Sequence, residues 1–101
     1  RMAVRPSVLM VGTVEPRKGY DAALNAMEHL WRDGGDGAPD LIIVGQPGWR
    51  TRKLQHRLRT HPELGGRLHW LTGVSDESLG KLYSASRLFL MASRGEGMGL
   101  P

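Results

Sequence analysis

The chain contains no cysteine. That excludes disulfides and thiolate metal sites, and it fits a reducing compartment. It has no run of about 18 apolar residues, so no transmembrane helix is expected. The opening Arg1-Met2-Ala3-Val4-Arg5-Pro6 is short and basic with no apolar stretch behind it, which is not the pattern of a signal peptide. No Gly-x-Gly-x-x-Gly follows the first apolar run, and Gly45-Gln46 stands where a ribose-binding acid would end the second. There is no Walker phosphate loop. A receiver domain needs clustered aspartates at strand ends, and here the first strand runs into Gly12-Thr13. His29, His56, His61 and His69 show no metal-ligand spacing and read as surface or structural residues.

What remains is a chain of 101 residues with 40% hydrophobic content and a formal net charge of +4. That is enough for one small soluble domain with one core. The positive excess suits phosphates, nucleic acid or an acidic membrane surface, and equally suits simple solubility. Arg50, Arg52, Lys53, Arg57 and Arg59 concentrate it around one predicted helix. A solvated helix face is the plainer reading, with nucleic acid or anionic lipid as alternatives.

Four strand-like runs stand out: Val8–Val11, Leu41–Val44, Leu68–Leu71 and Leu88–Met91. Most are continuously apolar, as for strands covered on both faces of a parallel sheet. Helix-period segments separate them. Ala23, Leu24, Met27, Leu30 and Trp31 share one face between Tyr20 and Arg32, and Gly34-Gly35-Asp36-Gly37 stops that helix. Leu54 and Leu58 mark a second helix over Thr51–Arg59, closed by Pro62. Leu79, Leu82 and Tyr83 mark a third over Asp76–Ala85, opened by Ser75 to Ser78 at capping-box spacing. Trp31, Trp49 and Trp70 are read as packing residues. The order β-α-β-α-β-α-β predicts an α/β, Rossmann-like parallel sheet with right-handed crossovers.

Such sheets bind ligands beyond the carboxyl ends of the strands, where the strand order reverses. In the order 3-2-1-4, strands one and four are neighbours there. The loop after strand one is Gly12-Thr13-Val14-Glu15-Pro16-Arg17-Lys18-Gly19. Gly12 permits close backbone approach. Arg17 and Lys18 sit before a helix N-terminus, where amides and the helix dipole already favour an anion. An arginine fork and a lysine point charge together suit a diphosphate. The loop after strand four is Ser93-Arg94-Gly95-Glu96-Gly97-Met98-Gly99-Leu100-Pro101. Its glycines present amides to oxygens, and Glu96 can accept hydrogen bonds from hydroxyls. Taken singly, each loop reads equally well as an ordinary solvated loop. Paired at a switch point, they argue for a ligand site.

These runs, with Leu41-Ile42-Ile43-Val44-Gly45 and Leu71-Thr72-Gly73-Val74-Ser75-Asp76 between them, resemble the carboxy-terminal domain of family-four, GT-B fold retaining glycosyltransferases (glycosyl transferases group 1). The similarity covers nearly the whole chain in order, and the last motif is its most specific part. The resemblance implies that residues 1–101 are part of a donor-binding domain, a piece of a longer two-domain enzyme whose other domain holds the acceptor. It implies a nucleotide-diphosphate sugar as donor, a hexose transferred with retention, and a saccharide or lipid-linked acceptor. Arg17, Lys18 and Glu96 take the catalytic roles: the two cations on the diphosphate, Glu96 on sugar hydroxyls. Gly12, Thr13, Val74, Ser75, Met98, Gly99 and Leu100 line the donor, with the Gly73-Val74-Ser75 backbone at the nucleobase. No metal and no separate cofactor are implied.

Two departures bear on this. Many members carry arginine directly after the first glycine, where this chain has Thr13, and Arg17 is the substitute on offer. Many carry phenylalanine where this chain has Met98. A second family glutamate falls on the third residue past Pro101. The Glu-Pro-Arg-Lys variant points towards GDP-mannose, with UDP-sugars open. The fragment alone is expected to be inactive and to expose a strand edge open to self-association. The expected location is cytoplasmic, with peripheral contact to the inner membrane face through the missing domain, and no nucleic-acid partner. The alternatives are a non-catalytic Rossmann-like nucleotide-binding or interaction module, and a nucleic-acid binder using the basic second helix.

Overall fold

The computed structural model describes residues 6–15, 18–34, 37–85 and 88–89. Strand β1 (Ser7–Val11) is followed by helix α1 (Tyr20–Gly34), strand β2 (Asp40–Val44) and helix α2 (Arg52–Arg59). Strand β3 (Leu68–Leu71), helix α3 (Asp76–Ala85) and strand β4 (Leu88–Phe89) complete the order. The four strands form one parallel sheet in the order β3-β2-β1-β4. This is the α/β, Rossmann-like arrangement expected from the alternation of periods. Leu90 and Met91, the end of the expected fourth strand, lie outside the described residues.

The central strands are apolar because both faces are covered. Val8, Leu9 and Met10 are consecutive and buried in β1, and Leu41, Ile43 and Val44 are buried in β2. The register sets Val8 opposite Leu41 and Met10 opposite Ile43. Helix α1 covers one face with Tyr20, Leu24, Met27 and Trp31, and α2 adds Leu54 and Leu58. Each such side chain contributes about 1.5–3 kcal/mol when fully buried.

Two expectations about the core are corrected. Leu30 is 46% exposed. At 3.6 residues per turn its side chain points about 90° away from the centre of the buried α1 stripe. Tyr20 occupies that stripe instead. Trp49 packs into nothing and is 85% exposed. The other two indoles are held as packing residues. Trp31 Nε1 donates to the Pro39 carbonyl at 2.7 Å and Trp70 Nε1 to the Gly45 carbonyl at 2.8 Å.

The expected basic face of α2 is divided between different tasks. Arg57 reaches across to α1 and donates to Asp21 at 2.7 Å, Asn25 at 2.6 Å and Glu28 at 3.2 Å. Glu28 also meets His61 Nε2 at 2.7 Å, and the His61 ring stands edge-on to Trp31. His61 therefore has the structural role expected of it. The Arg59 guanidinium lies over the Trp70 ring, 5.0 Å from its centroid. Only part of the cluster is left as a solvated face.

Candidate functional site

The site forms where β1 leaves the sheet. Gly12 donates its amide to the Val44 carbonyl at 3.0 Å, so the loop begins still bonded to β2. The pairing then continues past the strand ends. Val14 donates to the Gln46 carbonyl, and Gly48 donates to the Val14 carbonyl, both at 2.9 Å. The loops after β1 and β2 are thereby joined into one ledge.

Glycine makes this contact possible. A β-carbon on Gly45 would fall 1.8 Å from the Gly12 carbonyl oxygen. One on Gly48 would fall 2.7 Å from Glu15 Cγ and 2.8 Å from Thr13 Cγ2. Gly45 was expected only as the end of the run Leu41–Gly45 and Gly45-Gln46 as a place without an acid, so a loop joined to the one after β1 was not anticipated there. Its signal was there: two glycines three residues apart, with Pro47 between, directly after a buried strand.

Gly12 itself adopts φ 145°, a conformation that side-chain-bearing residues avoid. Its carbonyl accepts from the Tyr20 hydroxyl at 3.0 Å. Burial, and secondarily the charge of Glu15, push the Tyr20 phenol up to about 12. The phenol therefore stays a neutral donor to Gly12 at ordinary pH. On the other side, the Lys18 ammonium lies 3.7 Å from where a β-carbon on Gly12 would sit. Lys18 also donates its amide to the Glu15 carbonyl at 3.1 Å, closing the turn into α1. A bare stretch of backbone thus faces a cation at the carboxyl end of β1, next to the start of α1. That arrangement attracts an anion.

The third loop follows β3. Gly73 adopts φ 68°, Val74 is half-buried and Ser75 is exposed. The Ser75 hydroxyl accepts from the Ser78 amide at 3.1 Å and so caps α3. This loop sits two strand spacings, about 10 Å, from the loop after β1. Gly45 links the two, since its amide donates to the Leu71 carbonyl at 3.0 Å.

Gly12, Thr13 and Lys18 are therefore gathered at one sheet edge, with Val74 and Ser75 further along it. Arg17, Glu96, Met98, Gly99 and Leu100 lie outside the described residues. The strand adjacency on which the role of the loop after β4 depends is observed, since β4 pairs with β1 through Val8–Leu88 and Leu9–Phe89. Among the described residues no group of three or more histidines, aspartates or glutamates could hold a metal ion. No helix among them is long and apolar enough to cross a membrane.

Two cavities flank this core. One of about 560 Å³ adjoins the ledge through Gly48 and is lined by Arg50, Thr51, Arg52, Gln55, His56 and Arg59. The other, about 550 Å³, is lined by Glu28, Trp31, Arg57, His61, Glu63 and Arg67 among others. It lies at the opposite end of the sheet, where α1 and α2 end, and its Arg57 and Arg67 lie against carboxylates.

The family model described as glycosyl transferases group 1 matches residues 4–101. The chain belongs to the group 1 glycosyltransferases. It is 52% identical over 100 residues to a serotype-specific mannosyltransferase, WbdA, of Escherichia coli, covering 99% of this chain and 12% of that protein. It is 36% identical over 101 residues to the O-antigen chain mannosyltransferase B of Escherichia coli, covering 100% and 26%. It is 31% identical over 103 residues to a GDP-mannose-dependent alpha-(1-6)-phosphatidylinositol monomannoside mannosyltransferase of Mycobacterium tuberculosis, covering 99% and 25%. The chain thus spans between an eighth and about a quarter of the length of these glycosyltransferases. No solved structure matches it.

Proposed function

We propose that this chain is part of the donor-binding domain of a retaining hexosyltransferase, one of two domains, which uses GDP-mannose and needs no metal. The observation that carries the reading is the Lys18 ammonium, 3.7 Å from the place of a β-carbon on Gly12. Lys18, with Arg17, contacts the donor diphosphate and offsets charge growing on the leaving group. Fixed cations aimed at developing charge are an efficient form of transition-state stabilisation. The Gly12 and Thr13 backbone comes close to the phosphates. The Gly73-Val74-Ser75 backbone faces the base, while the Ser75 side chain stays with its helix. Glu96, with the amides of Met98, Gly99 and Leu100, holds the sugar.

The choice of GDP-mannose is supported by relatives named as mannosyltransferases, one of them GDP-mannose-dependent. The acceptor, a saccharide or a lipid-linked saccharide, is held by the other domain, and the reaction is cytoplasmic. The 101 residues alone bind donor weakly and transfer nothing, because the cleft between domains is incomplete.

Calorimetric titration of GDP-mannose into the full-length protein tests this. Lys18→Ala is expected to weaken donor affinity at least about tenfold, or about 1.4 kcal/mol. It is expected to lower kcat by about a hundredfold. Lys18→Arg should recover part of both. Unchanged donor affinity in Lys18→Ala would sink the proposal, and inversion of the product's anomeric centre, read by NMR, would remove the retaining assignment.

A further inference from the structure

The cavity beside the ledge is not explained by donor binding. Its lining contains Arg50, Arg52, His56 and Arg59, together with Gly48, Thr51 and Gln55, and no carboxylate. Two other guanidinium groups among the described residues lie against carboxylates. Arg57 is paired with Asp21 and Glu28, and Arg67 lies against Glu63. Glu15 lies against Gly48 at the ledge side of the lining, and Asp21 shares a neighbouring recess with Arg50, Arg52 and Lys53. Asp21 is already engaged by Arg57 at 2.7 Å. The first turn of α2 carries no acid at all.

The turn that leads into this cavity has two further peculiarities. Trp49 is 85% exposed, the most exposed of the large hydrophobic residues described. Arg50 beside it adopts φ 55°, the left-handed region that only glycine enters without penalty. The rest of the turn is not loose. Gly48 is hydrogen-bonded to Val14, and the buried Thr51 hydroxyl donates to the Gly48 carbonyl at 2.8 Å. A firmly held turn therefore presents an indole to solvent at the lip of a cavity whose lining is cationic and carries no carboxylate.

We propose that this surface, formed by Trp49, Arg50, Arg52, Lys53, His56 and Arg59, docks on an anionic phospholipid bilayer. Phosphate-bearing headgroups enter the cavity and meet the guanidinium groups, which match phosphate oxygens in pairs. Trp49 inserts at the headgroup level, the depth at which an amphipathic indole is most stable. Cations near such a surface act together with an apolar anchor, and neither alone holds a protein firmly. The sequence placed peripheral membrane contact in the other domain and left anionic lipid only as an alternative for the basic second helix. This one lies in the donor domain itself, and it stands independently of the donor assignment.

The test is sedimentation of the full-length protein with phosphatidylcholine vesicles and with phosphatidylcholine vesicles containing phosphatidylglycerol. Binding is expected only with phosphatidylglycerol and should weaken as salt rises. Arg50→Glu with Arg52→Glu, and Trp49→Ala separately, should each weaken it about tenfold or more. GDP-mannose affinity should not change in either variant. Equal sedimentation of variants and wild type would overturn the proposal. So would equal binding to both vesicle types, or retention on RNA with no vesicle binding. A further measurement covers variants that fold poorly. Brominated phosphatidylglycerol should quench the tryptophan fluorescence of the wild type more than that of Trp49→Phe, and equal quenching counts against the bilayer contact.

Discussion

The Tyr20 hydroxyl donates to the Gly12 carbonyl across 3.0 Å, tying the first turn of α1 to the start of the loop that leaves β1. The ring is buried, so this bond is shielded from water. It holds the peptide over which the Lys18 ammonium lies. Packing and the proposed donor site are thus coupled through one phenol.

Tyr20→Phe keeps the ring and removes the bond. We expect a loss of about 1 kcal/mol in stability and a weaker GDP-mannose affinity, read by urea denaturation and calorimetry. The same phenol makes stability fall in alkali. Its folded pKa is raised from 10.0 to about 12. Its contribution is complete below the unfolded value. It is lost as pH rises from about 10 through about 12, because there the unfolded chain releases a proton that the folded chain keeps. Phenolate absorbance should show one late-titrating tyrosine that disappears in Tyr20→Phe; an unaltered titration curve would contradict the assignment.

Gly45 is the tightest point of the ledge, with a β-carbon placed 1.8 Å from the Gly12 carbonyl oxygen. That oxygen is backbone and cannot swing away. Gly45→Ala should cost about 3 kcal/mol and separate the two loops, lowering donor affinity as well as the melting temperature. Gly48→Ala should cost less, since its two closest contacts are side-chain atoms of Glu15 and Thr13. Equal melting temperatures for Gly45→Ala and wild type would refute the ledge.

The Arg57 clamp is a stability device at a distance from the ligand edge. The Glu28 carboxyl is held below its ordinary value, first by the His61 hydrogen bond and then by Arg57, against an opposing effect of burial. A carboxyl lowered in the folded state stabilises above its unfolded pKa, and that contribution is lost as pH falls through the lowered folded value. Arg57→Ala should therefore lower stability by about 1 kcal/mol, a figure kept small because the groups are partly exposed. It should also flatten the acid limb of a plot of melting temperature against pH, and it should leave GDP-mannose binding unchanged.

Much of this was legible along the chain. The runs Val8–Val11 and Leu41–Val44, and the spacing of Leu24, Met27 and Trp31, announced strands and a helix because periodicity is a local property. Alternation of the two periods gave the parallel sheet and the neighbouring of β1 and β4. Lys18 was singled out by its place between a strand and a helix, and its ammonium lies beside Gly12. Ser75 was singled out through the family resemblance, and its hydroxyl caps α3.

The misses share one cause. Leu30 and Ala23 look alike to a coarse helical template, and only the sheet's position selected which one packs. Trp49 is apolar by type, yet no element lies over it. Arg57 reads as one more surface cation until α1 brings Asp21, Asn25 and Glu28 to it. The ledge of Gly45 and Gly48 against Gly12 to Glu15 joins residues more than 30 positions apart.

By itself, the order of residues determined the elements, their parallel pairing and the sheet edge where a ligand belongs. Each of these follows from propensities and periods that neighbouring residues set for themselves. Tertiary structure alone decided which cations are neutralised and which remain, which indole faces water, and that the loop after β2 is bonded to the loop after β1. Those outcomes depend on distances between segments remote in the chain, and such distances exist only once the helices have packed against the sheet.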